Sequence, residues 1–230
     1  MPATKERRPR PPASPKKRAA EVLELLQQQQ GVPVWRPRYD PTTELVFTIL
    51  SQHTSDVNSE RAGRKLKATF SSWDAVADAD PADVAEAVKS AGLSKQKVPR
   101  IQETLKRVRE LTGDYDLTFL REMPLADAKA WLKALPGVGP KTAAIVLGFS
   151  LGLPAMAVDV HIHRVTGRLG LIGPKVNADK AHDVLEPMLP EDDIYGFHVA
   201  LIAHGRQVCK ALRPRCADCV LREACPGRLV

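Results

Sequence analysis

No uncharged stretch of the 230 residues reaches the roughly 20 apolar positions that a membrane-spanning helix needs. No apolar segment with a cleavage site opens the chain either, so the expected location is cytoplasmic and nucleoid-associated, with no membrane partner. Hairpin dipeptides between alternating runs are missing. The one strand-like stretch, Val158 to Val165, has no second strand pattern to pair with. A sheet is thereby excluded and an all-α fold expected. There is no repeat of fixed period and no clear linker. Cysteine is absent before position 209, so no disulfide can staple the bulk of the chain.

What is present is ordinary for a soluble globular protein, with 43% hydrophobic and 27% charged residues. The formal charge of +7 is unevenly distributed. Residues 1–20 hold seven Lys or Arg against Glu6 alone and account for six of the net charges. The body is close to neutral, and only local clusters at 61–67, 95–109 and 206–215 could line up against a polyanion. Pro9, Pro11 and Pro12 among arginines make residues 1–15 an expected disordered basic arm.

Helix punctuation recurs along the chain. Ser14-Pro15, Asp40-Pro41 and Asp80-Pro81 each pair a cap residue with a proline suited to the first turn, and Asp56 is a further candidate cap. Helices are expected from Pro15 and near 41–52, 57–69, 81–90, 95–111, 124–134, 140–152, 177–188 and 192–206. Pro99 is expected to delay the start of the helix at 95–111. Asp159 could cap a helix running to Leu169, the alternative to a strand there.

The most informative stretch is Leu135-Pro136-Gly137-Val138-Gly139-Pro140-Lys141. Two glycines around one valine permit a tight turn with bare amides, and Pro140 starts a helix whose N-terminus is a natural phosphate site. Taken alone, the pair of glycines reads first as a surface turn with a solvated lysine in the next helix.

Cys209, Cys216, Cys219 and Cys225 form a C-x6-C-x2-C-x5-C array in the last 22 residues. Four thiols on one short loop suit a single four-thiolate site more than disulfides. The spacing does not choose between zinc and an iron-sulfur cluster, and frequency favours zinc. Arg213, Arg215 and Arg222 make the same loop basic.

Together, the glycine hairpin, Lys141, the Val158-Asp159 pair, His161, Arg164 and the cysteine array resemble the endonuclease III branch of the helix-hairpin-helix DNA glycosylases. The similarity runs from about residue 16 to 228. It implies two helical lobes with a DNA-binding cleft between them: a six-helix barrel with the hairpin at 34–153, and a cluster domain formed by 16–33 with 154–230. It implies a 4Fe-4S cluster on the four cysteines in place of zinc, and a monomer acting on double-stranded DNA with damaged bases or abasic sites.

The resemblance further implies a bifunctional glycosylase and AP lyase of base excision repair, acting on oxidised pyrimidines. Lys141 would be the nucleophile toward the sugar, and Asp159 the partner stabilising the cationic sugar as the base leaves. Attack requires a neutral amine, and a helix N-terminus disfavours a cation. Gly137, Val138 and Gly139 would hold the DNA backbone. Gln52 and His53, with Ser94, Lys95 and Gln96 of a second loop, would fill the gap left by the extruded nucleotide. His53 stands where relatives commonly carry glutamine, and Lys95 and Gln96 also depart from the usual loop. A monofunctional mismatch glycosylase is the rival within the enzyme class; those relatives lack the lysine. A non-catalytic DNA-binding module is the rival outside it.

Overall fold

The computed structural model describes residues 14–227. The expected basic arm therefore lies outside the described residues except for Ser14 and Pro15. No strand occurs among the described residues, and their regular elements are all helices.

Helix α1 (Pro15–Gln30) starts where the serine-proline pair predicts, with the Ser14 hydroxyl accepting from the Lys17 amide at 3.4 Å. Asp40 caps α2 (Pro41–Ser51) by accepting from the Thr43 amide at 2.8 Å. For α3 (Asp56–Thr69) the cap is Ser55, one residue before the aspartate expected, and Asp56 takes the first helical position. There its charge still favours the helix dipole. The six-residue α4 (Trp73–Asp78), capped by Ser72, has no counterpart in the sequence reading because one and a half turns show too little periodicity. Helix α5 (Pro81–Ala87) is capped by Asp80 and passes into a 3₁₀ turn at Lys89–Ala91.

Helix α6 (Ser94–Thr112) contains Pro99 within its body, so the proline does not delay the start. Next come α7 (Leu125–Lys133), α8 (Pro140–Ser150), α9 (Val160–Arg168), α10 (Ala178–Leu185) and α11 (Ile194–Gln207). The ambiguous stretch at 158–165 resolves as the capped helix α9, with Asp159 as its N-cap.

Apolar side chains gather into two cores. One is built from α2 to α8, and the other from α1, α9, α10, α11 and Leu221. Between them the chain runs extended, with Ala155 and Ala157 in the first core and Met156 and Val158 in the second. Successive side chains of an extended segment point in opposite directions, which is how one stretch serves both.

Helix α2 is the centre of the first core, with every residue from Pro41 to Leu50 buried. Even Glu44 is fully enclosed; it pairs with the Arg38 guanidinium and accepts from the Thr48 hydroxyl at 3.3 Å. A buried carboxylate without such partners would cost several kcal/mol.

Candidate active site

Gly137 adopts φ +73°, a region where a Cβ is disfavoured, and turns the chain into α8. Val138 is buried in the first core and its amide bonds to the Leu135 carbonyl at 3.2 Å. It therefore anchors the turn, while Gly137 is exposed and Gly139 half-buried. Helix α6 supports the turn from below: Thr104 donates to the Pro136 carbonyl at 2.7 Å, and the Arg100 stem packs against Gly137. Pro140 and Lys141 follow as the first two residues of α8, leaving Lys141 exposed at the helix N-terminus.

Asp159 is half-buried at the N-terminus of α9, where one carboxylate oxygen accepts from the Ile162 amide at 2.8 Å. The second oxygen is not needed for capping. Lys141 and Asp159 line one cleft of about 460 Å³ between the two cores. Arg38, Tyr39, Phe47 and Phe149 supply much of its wall.

At the cleft wall His198 is only 4% exposed; its Nδ1 donates to the Ala157 carbonyl at 2.9 Å and its ring meets Phe149 edge-on. Burial pushes its pKa down to about 4, against the opposing pull of the Ala157 carbonyl and Asp159 and with a further push from Lys141 and Arg38. The imidazole is thus neutral at pH 7. Across the cleft, the Tyr39 hydroxyl donates to Glu60 at 2.7 Å, and Arg64 holds the same carboxylate at 2.8 Å. At the rim, Arg206 of α11 pairs with Asp56 of α3.

The other expected contacts sit apart from this cleft, on two neighbouring loops. His53 is exposed with φ +54°, and Gln52 is half-buried and accepts from Arg100 at 3.5 Å. Ser94 is half-buried at the start of α6, with Lys95 and Gln96 exposed after it. Leu93, at the tip of that loop, has φ +50° and is 49% exposed.

Lys97 is withdrawn from the basic cluster expected at 95–109 to face a polyanion. It is 2% exposed, and its ammonium donates to the Leu50 carbonyl at 2.7 Å and the Ala91 carbonyl at 2.8 Å. Burial lowers its pKa from the ordinary lysine value. The sequence signal was available: Lys97 lies four residues before Ile101, on the apolar face of α6. Tyr39, Glu60 and His198 carry no comparable signal, because they meet only through folding.

The four cysteines line one cavity with Arg168 and His204. All four are free thiols in this structure. Arg168 donates to Cys209 Sγ at 3.3 Å and to the Lys210 and Ala211 carbonyls at 2.8 and 3.0 Å. Arg164 donates to the Cys209 carbonyl at 3.0 Å. Burial raises the thiol pKa of Cys219 and Cys225, so they are poor thiolates without a cation beside them.

Among the described residues no three His, Cys, Asp or Glu converge closely enough to hold one metal ion. Four thiols lining one cavity are a donor set that an iron-sulfur cluster takes, one thiolate to each iron, and one that zinc also takes.

Among the described residues no helix is long and apolar enough to cross a membrane. Residues 46–190 match the model of the HhH-GPD superfamily base excision DNA repair protein. Endonuclease III of Thermotoga maritima is 35% identical over 186 residues, covering 81% of this chain and 83% of that protein. Endonuclease III of Escherichia coli K12 is 31% identical over 211 residues, covering 91% and 95%. A solved non-covalent endonuclease III–DNA complex superposes with a TM-score of 0.79 at 24% identity, over 92% of this chain and 95% of that one, which establishes the shared fold. On the strength of the superfamily match and of relatives aligned over most of both chains, the protein belongs to the endonuclease III family of helix-hairpin-helix base excision DNA repair proteins.

Proposed function

We propose that this protein is a bifunctional DNA glycosylase and AP lyase that removes oxidised pyrimidines and cuts the strand at abasic sites. The observation that carries the reading is that Lys141 and Asp159, each at a helix N-terminus, line one cleft. Duplex DNA lies across the cleft between a barrel at 34–153 and a second domain made of 16–33 and 154–230, with one protein monomer per lesion. Gly137 and Gly139 offer amides to a phosphate, a contact that positions the strand without reading sequence. Buried Val138 keeps the turn in shape.

The damaged nucleotide is extruded into the cleft, where aromatic walls at Tyr39, Phe47 and Phe149 accept a planar base. The neutral amine of Lys141 bonds to the sugar C1′ as the bond from C1′ to the base breaks; the base leaves with the electron pair and takes up a proton. Asp159 stabilises the positive charge that develops on the sugar. Opening of the sugar ring gives a Schiff base, and loss of a C2′ proton with the 3′ phosphate cuts the strand. Gln52, His53, Ser94, Lys95 and Gln96 contact the duplex around the vacated position, and exposed Leu93 adds an apolar tip among them. Cys209, Cys216, Cys219 and Cys225 hold a 4Fe-4S cluster. When bound, it supplies four iron–thiolate links that fix the basic C-terminal loop.

Support for a covalent route also comes from a solved relative, a trapped endonuclease III–DNA covalent intermediate. The test is incubation of the protein with an abasic duplex and borohydride. A covalent adduct that vanishes in Lys141→Ala is expected; absence of an adduct with the intact protein rejects the lyase. A panel of duplexes with single oxidised pyrimidines tests the substrate class in the same way.

A further inference from the structure

We propose that Lys97 is a positioning residue that locks the loops bearing His53 and Leu93 into a single two-pronged wedge. The proposal rests on the DNA-binding reading above and adds to it the element that sets the distance between the prongs.

One ammonium holds two backbone ends that are 41 residues apart in sequence. The Leu50 carbonyl belongs to the last turn of α2, three residues before His53, and the Ala91 carbonyl closes the 3₁₀ turn, two residues before Leu93. Carbonyls at helix ends lack helical partners and carry partial negative charge, so a cation is the suitable clamp. Among the described residues no carboxylate forms an ion pair with Lys97, and nothing competes for its donors.

Both prongs are left-handed at a residue other than glycine, His53 at φ +54° and Leu93 at φ +50°. Such a conformation is strained and persists only where the surroundings over-determine it. Neither prong lines the cleft, and both are exposed. Arg100, one turn beyond Lys97 on α6, reaches Gln52 on one side and packs on Gly137 on the other. The clamp is thereby tied to the hairpin that presents Lys141.

Lys97→Met keeps the aliphatic stem and removes every N–H donor. The probe is a duplex with a tetrahydrofuran abasic analogue opposite 2-aminopurine, whose fluorescence rises when it is unstacked. The wild-type protein is expected to prefer this duplex over an intact one and to brighten the probe. Lys97→Met is expected to bind the intact duplex within about twofold of wild type, to lose about tenfold of the abasic preference, and to lose the brightening. A simple packing defect would lower thermal stability without erasing the fluorescence signal.

A folded Lys97→Met with full preference and brightening overturns the proposal and leaves the DNA reading standing. Absence of any abasic preference in the wild type overturns both. Where Lys97→Met does not fold, His53→Ala, Leu93→Ala and their double variant decide with Lys97 in place. Coupled prongs give a double loss of preference smaller than the product of the single losses, and losses that multiply overturn the proposal.

Discussion

Arg206 of α11 and Asp56 of α3 meet at 2.7 Å across the rim of the cleft that Lys141 and Asp159 line. The pair joins an element of each core, yet both side chains remain open to water, at 48% and 70% exposure. It therefore contributes no more than about 1 kcal/mol to stability. Its larger effect is on charge, since Asp56 neutralises a guanidinium beside the site.

Asp56→Asn is accordingly expected to shift the melting temperature by less than about 4 °C. With Arg206 freed, an undamaged duplex should bind more tightly at low salt, and the slope of log K against log salt should steepen by about one unit. Calorimetric unfolding and a salt titration of duplex binding check the two halves separately.

In the proposed mechanism Asp159 combines two tasks that substitution can separate. Asparagine retains a side-chain oxygen for the Ile162 amide, whereas alanine loses the cap at a cost of about 1 kcal/mol. Asp159→Asn should therefore melt near the wild type, and Asp159→Ala below it. Both lose the negative charge facing the cleft, and base release should slow by roughly 10²- to 10³-fold in each. Single-turnover kinetics that leave Asp159→Asn at the wild-type rate would reduce this residue to a helix cap.

His198 gives a pH prediction with a definite sign. Its pKa is about 4 in the folded protein against the ordinary 6.5, because burial disfavours the charged ring. Between these values the unfolded chain binds a proton that the native state does not. Stability thus falls as pH drops below about 6.5 and the loss levels off below about 4, amounting to at most about 3 kcal/mol. In His198→Asn, whose amide can donate to the Ala157 carbonyl without titrating, this part of the pH dependence should disappear from denaturant midpoints measured between pH 7 and 4.5.

For the cysteine loop, about four irons per chain and a visible absorbance band that bleaches on reduction are expected. Cys216→Ser should lower the iron content and the melting temperature together while the first core stays folded, because that core excludes residues 209–225. Stoichiometric zinc in place of iron would reject the cluster.

Much of the local structure is legible in the sequence. Asp40, Asp80 and Asp159 each cap a helix by hydrogen bonds to amides two or three residues ahead, and such bonds depend on nothing distant. Where the reading slipped, competing local chemistry was responsible: Ser55 outranks Asp56 as a cap, and Pro99 is accommodated inside α6. Helix α4 is too short for its two buried residues, Val76 and Ala77, to register as a pattern.

By itself the sequence determined the helices, the hairpin leading into Lys141, and the grouping of four cysteines, because each arises from interactions spanning a few residues. Only the tertiary structure decided that Lys97 is a buried clamp, that His198 is held neutral against Phe149, and that Arg206 closes on Asp56. Apart from the Lys97–Ala91 bond, which spans six residues, those contacts join positions 47 to 150 residues apart in a single chain. Beyond the apolar face that marks Lys97 for burial, no local pattern encodes these partners, because they are set by which helix faces meet when the two cores close.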